Sequence, residues 1–144
     1  MINDYKSHID RLKASGLRST KQRLEICRIL FSGPETFHFS IENLKKIVEK
    51  NTKNKISLAT MYNTVHALKK SGYLKEISLK GNKTFYDTNI KKHHHFYDED
   101  TKKISDIKNE DILVSKVPHI PNGKKIKEIE VTVRIASDNH NQKK

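Results

Sequence analysis

Three consecutive histidines, His93, His94 and His95, are the residues in this chain best suited to chemistry. In an extended strand His93 and His95 project to one face and His94 to the other. Two imidazoles on one face form a nucleus for a metal or haem site, because neutral ring nitrogens bind iron, zinc and related ions well. Carboxylates stand close in sequence at Asp87, Asp98, Glu99, Asp100 and Asp106. If 104–107 returns as a hairpin strand beside the histidines, Asp106 comes back next to His93 or His95. The competing reading is a polar strand end with solvated histidines, and a bare histidine triplet is a weak motif. Elsewhere, His38 reads as a surface or packing residue, and His66 can face DNA or solvent. His8, His119 and His140 have no evident partner in the sequence.

A second kind of chemistry is suggested by 57–72, SLATMYNTVHALKKSG. Leu58, Met61, Val65 and Leu68 recur at steps of three and four and line one helical face. Ser57 is a good N-cap, and Gly72 can take the left-handed conformation that ends a helix after Lys69 and Lys70. The opposite face carries Thr60, Tyr62, Asn63 and His66, polar tips that suit base edges in a DNA major groove. An ordinary amphipathic surface helix would show the same pattern.

The charge distribution weighs on that choice. The 144 residues carry a net charge of +12, with 34% hydrophobic and 32% charged residues. Residues 1–92 hold 19 Lys and Arg against 8 Asp and Glu, whereas 93–144 hold 10 against 9. The first part should therefore meet a polyanion and the second do something else. The length fits one domain or two small ones, and the modest core could be extended by dimerisation. No apolar run is long enough to span a membrane, and MINDYKSHID lacks a signal segment, so a cytoplasmic location is expected. The single cysteine, Cys27, excludes an intrachain disulfide and any Cys-pair zinc site.

The elements that must position these residues follow from period and caps. The spacing predicts a first helix over 4–17, ended or bent by Gly16. A second starts at the N-cap Thr20, with Leu24, Cys27, Leu30 and Phe31 inward and Arg18, Lys21 and Arg23 clustered at its start, which suits either a solvated face or phosphate contact. After the connector SGPETFHFS, Ser40 caps a third helix whose buried face is Ile41, Leu44, Ile47 and Val48. The 57–72 helix comes next. Two β-type runs, with Tyr73, Leu74, Ile77, Leu79, Phe85 and Tyr86, flank a Gly81-Asn82 turn and read as a hairpin. Helices followed by a basic hairpin is the order of a winged helix-turn-helix, with Lys80 and Lys83 over the DNA backbone. Residues 89–92 read as a hinge. Beyond it come the histidine strand, a turn at 100–103, and an irregular 108–125 with at most a short turn near 111–116, because of Pro118 and Pro121. Alternation over 127–136 predicts a half-buried strand with Ile129, Val131, Val133 and Ile135 on one side. Residues 137–144 read as a disordered tail.

GLRSTKQRLEICRIL, FHFSIENL, SLATMYNTVHALKKSGYL, KTFYDT and HHHF together resemble the ferric uptake regulator family of bacterial transcription factors. The resemblance runs from about Leu12 to Ile107, more loosely to Ile135. It is strongest to the iron response regulator branch, through Tyr62-Asn63-Thr64, FYDTN, the HHHF run and the lack of CxxC pairs. It implies an α+β fold, with a winged helix-turn-helix DNA-binding domain over 1–88, the hinge at 89–92 and a small α/β dimerisation and sensor domain over 93–136. It implies a homodimer on AT-rich palindromic operator DNA, with Tyr62 against a thymine methyl and Arg18 near the backbone or minor groove. For the sensor it implies His38, His93, His95 and Asp106 as ligands of iron or haem, with manganese or zinc as substitutes in vitro.

The sequence departs from the family pattern in places. The structural zinc cysteines are missing, so no structural zinc held by four cysteines is expected. Tyr86 stands where many members carry a glutamate ligand, and Arg28 follows Cys27 where some members have a cysteine–proline haem motif. The expectation is a dimeric, sequence-specific transcriptional regulator, not an enzyme, that responds to iron or haem. The resemblance favours DNA binding when iron is scarce. The alternatives are a winged-helix regulator whose metal site has decayed, a metal hydrolase and a basic RNA-binding module.

Overall fold

The computed structural model describes residues 2–79 and 84–138, apart from the side chains of 2 and 3. The wing tip with Lys80 and Lys83, and 139–144 of the expected tail, lie outside the described residues. The chain divides into two compact units, Met1–Ile90 and Lys91–Lys144. The fold class is α+β. Among the described residues no helix is long and apolar enough to cross a membrane.

The first unit is four helices and a three-stranded sheet: α1 (Ile2–Ala14), α2 (Lys21–Phe31), β1 (His38–Phe39), α3 (Ile41–Thr52), α4 (Leu58–Lys70), β2 (Lys75–Ser78) and β3 (Thr84–Asp87). Each of the last three helices is started by a hydroxyl. Thr20, Ser40 and Ser57 accept hydrogen bonds from the backbone N–H groups of Arg23, Asn43 and Thr60. Gly16, at φ 75°, follows the first helix, and Gly72, at φ 87°, follows the fourth. Both need the left-handed region that glycine enters at no steric cost.

The core is built from Leu12, Ile26, Cys27, Leu30, Phe39, Leu44, Val48, Met61, Val65 and Leu68. Burial pushes the Cys27 thiol up to about 12, so it is an inert packing residue. Two expected core positions are corrected. Ile47 is 38% exposed and Leu58 44% exposed, whereas Thr64 is fully buried. Thr64 is tolerated there because its hydroxyl donates to the carbonyl of Thr60 at 2.7 Å. The inward row of α4 is thus Met61, Thr64, Val65 and Leu68.

The sheet has the order β1-β3-β2. The expected hairpin forms, with Ile77 opposite Phe85 and Ser78 opposite Thr84. The connector after α2, expected to carry no strand, holds β1, which pairs His38 with Asp87 and Phe39 with Tyr86. A two-residue strand has no period to detect. Asp87 and Thr88 are held by this unit, since Phe37 and Thr88 exchange bonds at 2.9 and 3.2 Å.

His8 gains the partners its sequence did not reveal. It is buried, accepts from Arg11 at Nδ1 (3.1 Å), and donates through Nε2 to Ser32 at the end of α2 (2.9 Å). Burial first, then the Arg11 charge, lowers its pKa below the ordinary 6.5; Arg28 acts the same way and Asp4 against it. A histidine that resists protonation when folded takes up a proton on unfolding as pH falls. This contribution to stability is therefore present above 6.5 and lost progressively as pH drops below it. Urea denaturation at pH 7.5 and pH 5 should show lower stability at pH 5, with the difference reduced in His8→Gln. An unchanged difference in that variant would remove His8 from the account.

The second unit is β4 (His93–Asp98), β5 (Ile104–Lys108), a single 3-10 turn at Asn109–Asp111 and β6 (Thr132–Ile135). Its sheet order is β5-β4-β6, antiparallel on one side and parallel on the other. Its helical content among the described residues is that one turn, two residues before the position anticipated. The last strand is also shorter than the 127–136 alternation suggested. It is not half-buried: all four residues of β6 are exposed, and Ile129 is too. Alternation shows that a strand has two chemically different faces. It does not show that this chain supplies the cover for the apolar one.

Candidate metal centre and nucleic-acid interface

In the second unit the strand period places His93 and His95 on the same face of β4, their ring centroids 4.4 Å apart. The turn at 100–103 brings β5 back antiparallel, and His95 pairs directly with Asp106. Asp98 organises that turn: its Oδ1 accepts from the backbone N–H groups of Asp100 and Thr101. His93 Nε2 lies 3.3 Å and His95 Nε2 3.5 Å from the same oxygen, Asp106 Oδ1. The histidine side chains are only 5% and 1% exposed, while Asp106 stays partly open to solvent.

The tautomer of His93 is set by its other nitrogen. The Lys91 carbonyl oxygen can only accept, so Nδ1, 2.5 Å away, carries a proton, and Nε2 on the Asp106 side is the nitrogen left to bind an ion. Donors bound to a first-row divalent ion at about 2.0–2.2 Å stand about 3–3.5 Å apart in octahedral or tetrahedral arrangements. Both distances to Asp106 Oδ1 meet that spacing, and two imidazoles with a carboxylate are a donor set such ions favour. The residues therefore fit a small divalent cation.

His94 does something different. Its Nδ1 accepts from the Val131 backbone N–H at 3.0 Å, and the His95 N–H donates to the Val131 carbonyl at 3.1 Å. His94 thus ties the segment before β6 to the sheet. We expect His94→Ala to lower stability by about 1 kcal/mol, the worth of an ordinary hydrogen bond, and to leave ion affinity within about twofold. Calorimetric ion titration beside thermal melting checks this; a loss of ion affinity like that of His93→Ala would contradict it.

The first unit holds a histidine–carboxylate pair of its own. Register places His38 opposite Asp87, and His38 Nε2 lies 3.1 Å from Asp87 Oδ2. Asp87 is fully buried, and its Oδ1 accepts from the Asn89 N–H at 2.8 Å. Tyr86 points the other way, into the core, where it stacks on Phe39 at 5.7 Å between centroids. Burial, then Glu76, raises its pKa to about 12. Between the two neighbours it is Asp87 that stands with His38. The sequence named Asp87 only as a nearby carboxylate, because the strand that brings His38 to it is two residues long.

The candidate nucleic-acid surface lies on the first unit. Arg18 and Lys21 are exposed at the start of α2, and Arg23 donates through Nη1 to the Arg18 carbonyl at 3.2 Å. On α4, Ser57 and Thr60 are engaged with each other at the cap, hydroxyl to hydroxyl at 2.8 Å. Asn63 and His66 are exposed, and Tyr62 is half-buried. The Tyr62 hydroxyl donates to Glu42 Oε1 at 3.2 Å, a partner that sequence reading did not propose.

Comparison with known proteins adds the following. A model of the ferric uptake regulator family matches residues 14–134. The chain is 37% identical over 76 residues to the ferric uptake regulation protein of Synechocystis sp., covering 53% of this chain and 46% of that protein. The match thus spans about half the length of this relative. Among solved structures, the ferric uptake regulator of Vibrio cholerae matches with a TM-score of 0.64 at 18% identity, over 90% of this chain and 98% of that one. The manganese-bound ferric uptake regulator of Pseudomonas aeruginosa matches at 0.65 and 18%, over 90% and 97%. At these identities the structures speak for the fold.

Proposed function

The chain belongs to the ferric uptake regulator family, and on that premise we propose that it is a dimeric DNA-binding transcriptional regulator controlled by a divalent metal ion, iron foremost. The observation that carries the reading is the convergence of the buried His93 and His95 on Asp106 across one strand pair. Bound there, a divalent cation supplies the positive charge that holds these three donors together. His93 and His95 open β4 directly after residues 88–92, the stretch of chain that leads back to the basic unit. Ordering their side chains would order that stretch. Ion uptake at these donors would then change how two copies of α4 are presented to DNA, and His38 is carried as a further ligand on the family resemblance alone.

Within the family we place the chain nearest the iron response regulator branch, on Tyr62-Asn63-Thr64, FYDTN and HHHF. Of the two ligands that resemblance allows, the donor set favours the bare ion. His93, His95 and Asp106 lie close together on one strand pair and would hold a small cation between them. The exposed Ile129, Val133 and Ile135 beside an edge strand support a second copy of the chain as cover. Arg18, Lys21 and Arg23 are assigned to phosphates. Tyr62 and Asn63 are assigned to base edges and Ser57 and Thr60 to the helix start that carries them, with Lys80 and Lys83 on the wing.

Selection of duplexes from a random pool, followed by gel shift with and without Fe²⁺, Mn²⁺ and haem, tests the reading. The expected result is an enriched AT-rich palindrome whose affinity changes with Fe²⁺ in the wild type but not in His93→Ala/His95→Ala. Affinity indifferent to every ion would return the chain to a non-sensing regulator. A haem response lost in the same variant would replace the bare ion.

A further inference from the structure

We infer that Glu42 is a positioning residue for sequence reading, holding the Tyr62 ring so that it meets bases with its carbon edge and not with its hydroxyl. This rests on the reading of α4 as the DNA-reading helix. Glu42 lies in the first turn of α3 and Tyr62 in the second turn of α4, 20 residues apart. The Tyr62 O–H donates to Glu42 Oε1 at 3.2 Å. The His66 ring meets the Tyr62 ring edge-on at 5.4 Å, and Tyr62 packs on the edge of the core. The ring is therefore held at its tip, its flank and its base.

Two consequences follow from the chemistry. A phenol has one proton, and here it is directed to a carboxylate, so it does not also serve a base acceptor. The Glu42 bond, as first cause, also raises the Tyr62 pKa, which keeps the phenol protonated. What the ring offers outward is apolar, and the apolar feature of a major-groove edge is the thymine methyl. The second consequence concerns charge. A carboxylate close to the reading face of a strongly basic half repels phosphates on every duplex alike. Glu42 thus lowers general affinity while fixing the group that discriminates.

The test uses the full chain and two duplexes: the one enriched from a random pool by the wild type, and a scrambled version of it. The readout is the ratio of their dissociation constants by fluorescence anisotropy at fixed salt. Glu42→Ala should lower the ratio about three- to tenfold, the scale of one ordinary hydrogen bond lost at the protein surface. Glu42→Gln, which keeps an acceptor oxygen but not the charge, should tighten binding to both duplexes and keep the ratio. Tyr62→Phe should match Glu42→Ala, and the double variant should be no worse than either. Loss of an acid from the first turn of α3 also lowers helix stability, but a ratio measured on one folded protein is not moved by that. An unchanged ratio in Glu42→Ala, or a double variant that multiplies the two losses, overturns the inference and leaves α4 as reader. If the wild type enriches no sequence, the reading of α4 falls and the inference with it.

Discussion

Replacing His95 with alanine should weaken Fe²⁺ or Mn²⁺ binding at least about 100-fold. Loss of an outer-shell partner of a metal ligand alone costs 10- to 100-fold, and His95 would supply a bond to the ion itself. It sits in the middle of β4, almost fully buried, with its Nε2 aimed at Asp106 from the directly paired position. Anaerobic calorimetric titration reads the loss directly. Thermal melting gives a second readout, because a ligand at 100 times its dissociation constant stabilises the folded state by about 2.7 kcal/mol. The wild type should therefore gain melting temperature with ion and His95→Ala should not. Equal titration curves for the two proteins would remove His95 from the centre. His94→Ala provides the contrast on the neighbouring position, since its ring is engaged with Val131.

Replacing Tyr62 with alanine should cost about 1–3 kcal/mol of discrimination between the selected and the scrambled duplex, the scale of one good base contact. The ring stands on α4 two residues before the buried Thr64 and one after the buried Met61, so the helix cannot turn it away without unpacking its core row. Much of the binding energy to any duplex comes from phosphate contacts by the basic half and should survive the change. Discrimination and general affinity thus separate. A Tyr62→Ala protein that binds both duplexes more weakly by the same factor would make Tyr62 a structural support, not a reader.

Much of the first unit was legible because its signals are local. The caps Thr20, Ser40 and Ser57 act on N–H groups three residues away, and Gly16 and Gly72 act through their own φ. Residue type alone announces such interactions. Hydrophobic period placed the helices but misjudged Ile47 and Leu58. The period defines a stripe, and only the neighbouring elements decide how much of that stripe is covered. Thr64 was passed over for the complementary reason: its polar atom is satisfied by its own helix, so a nominally polar residue fills a core position.

The same division runs through the candidate site. Readable from residue order were the shared face of His93 and His95, the short turn that returns Asp106, the basic first half, and Cys27 as a thiol with no disulfide partner in its own chain. These rest on strand period, loop length and composition, which need no knowledge of distant neighbours. Folding was needed to show that Asp87 and not Tyr86 stands with His38, and that His94 braces the sheet. It alone showed that the Lys91 carbonyl orients the His93 ring and that Glu42 holds Tyr62. Three of these four contacts join residues 20 or more positions apart. Their pairing is set by how whole elements pack and by which polar groups burial leaves to be satisfied, and neither is written in any local stretch of the chain. The His93–Lys91 contact is short in sequence, but its direction depends on where β4 begins.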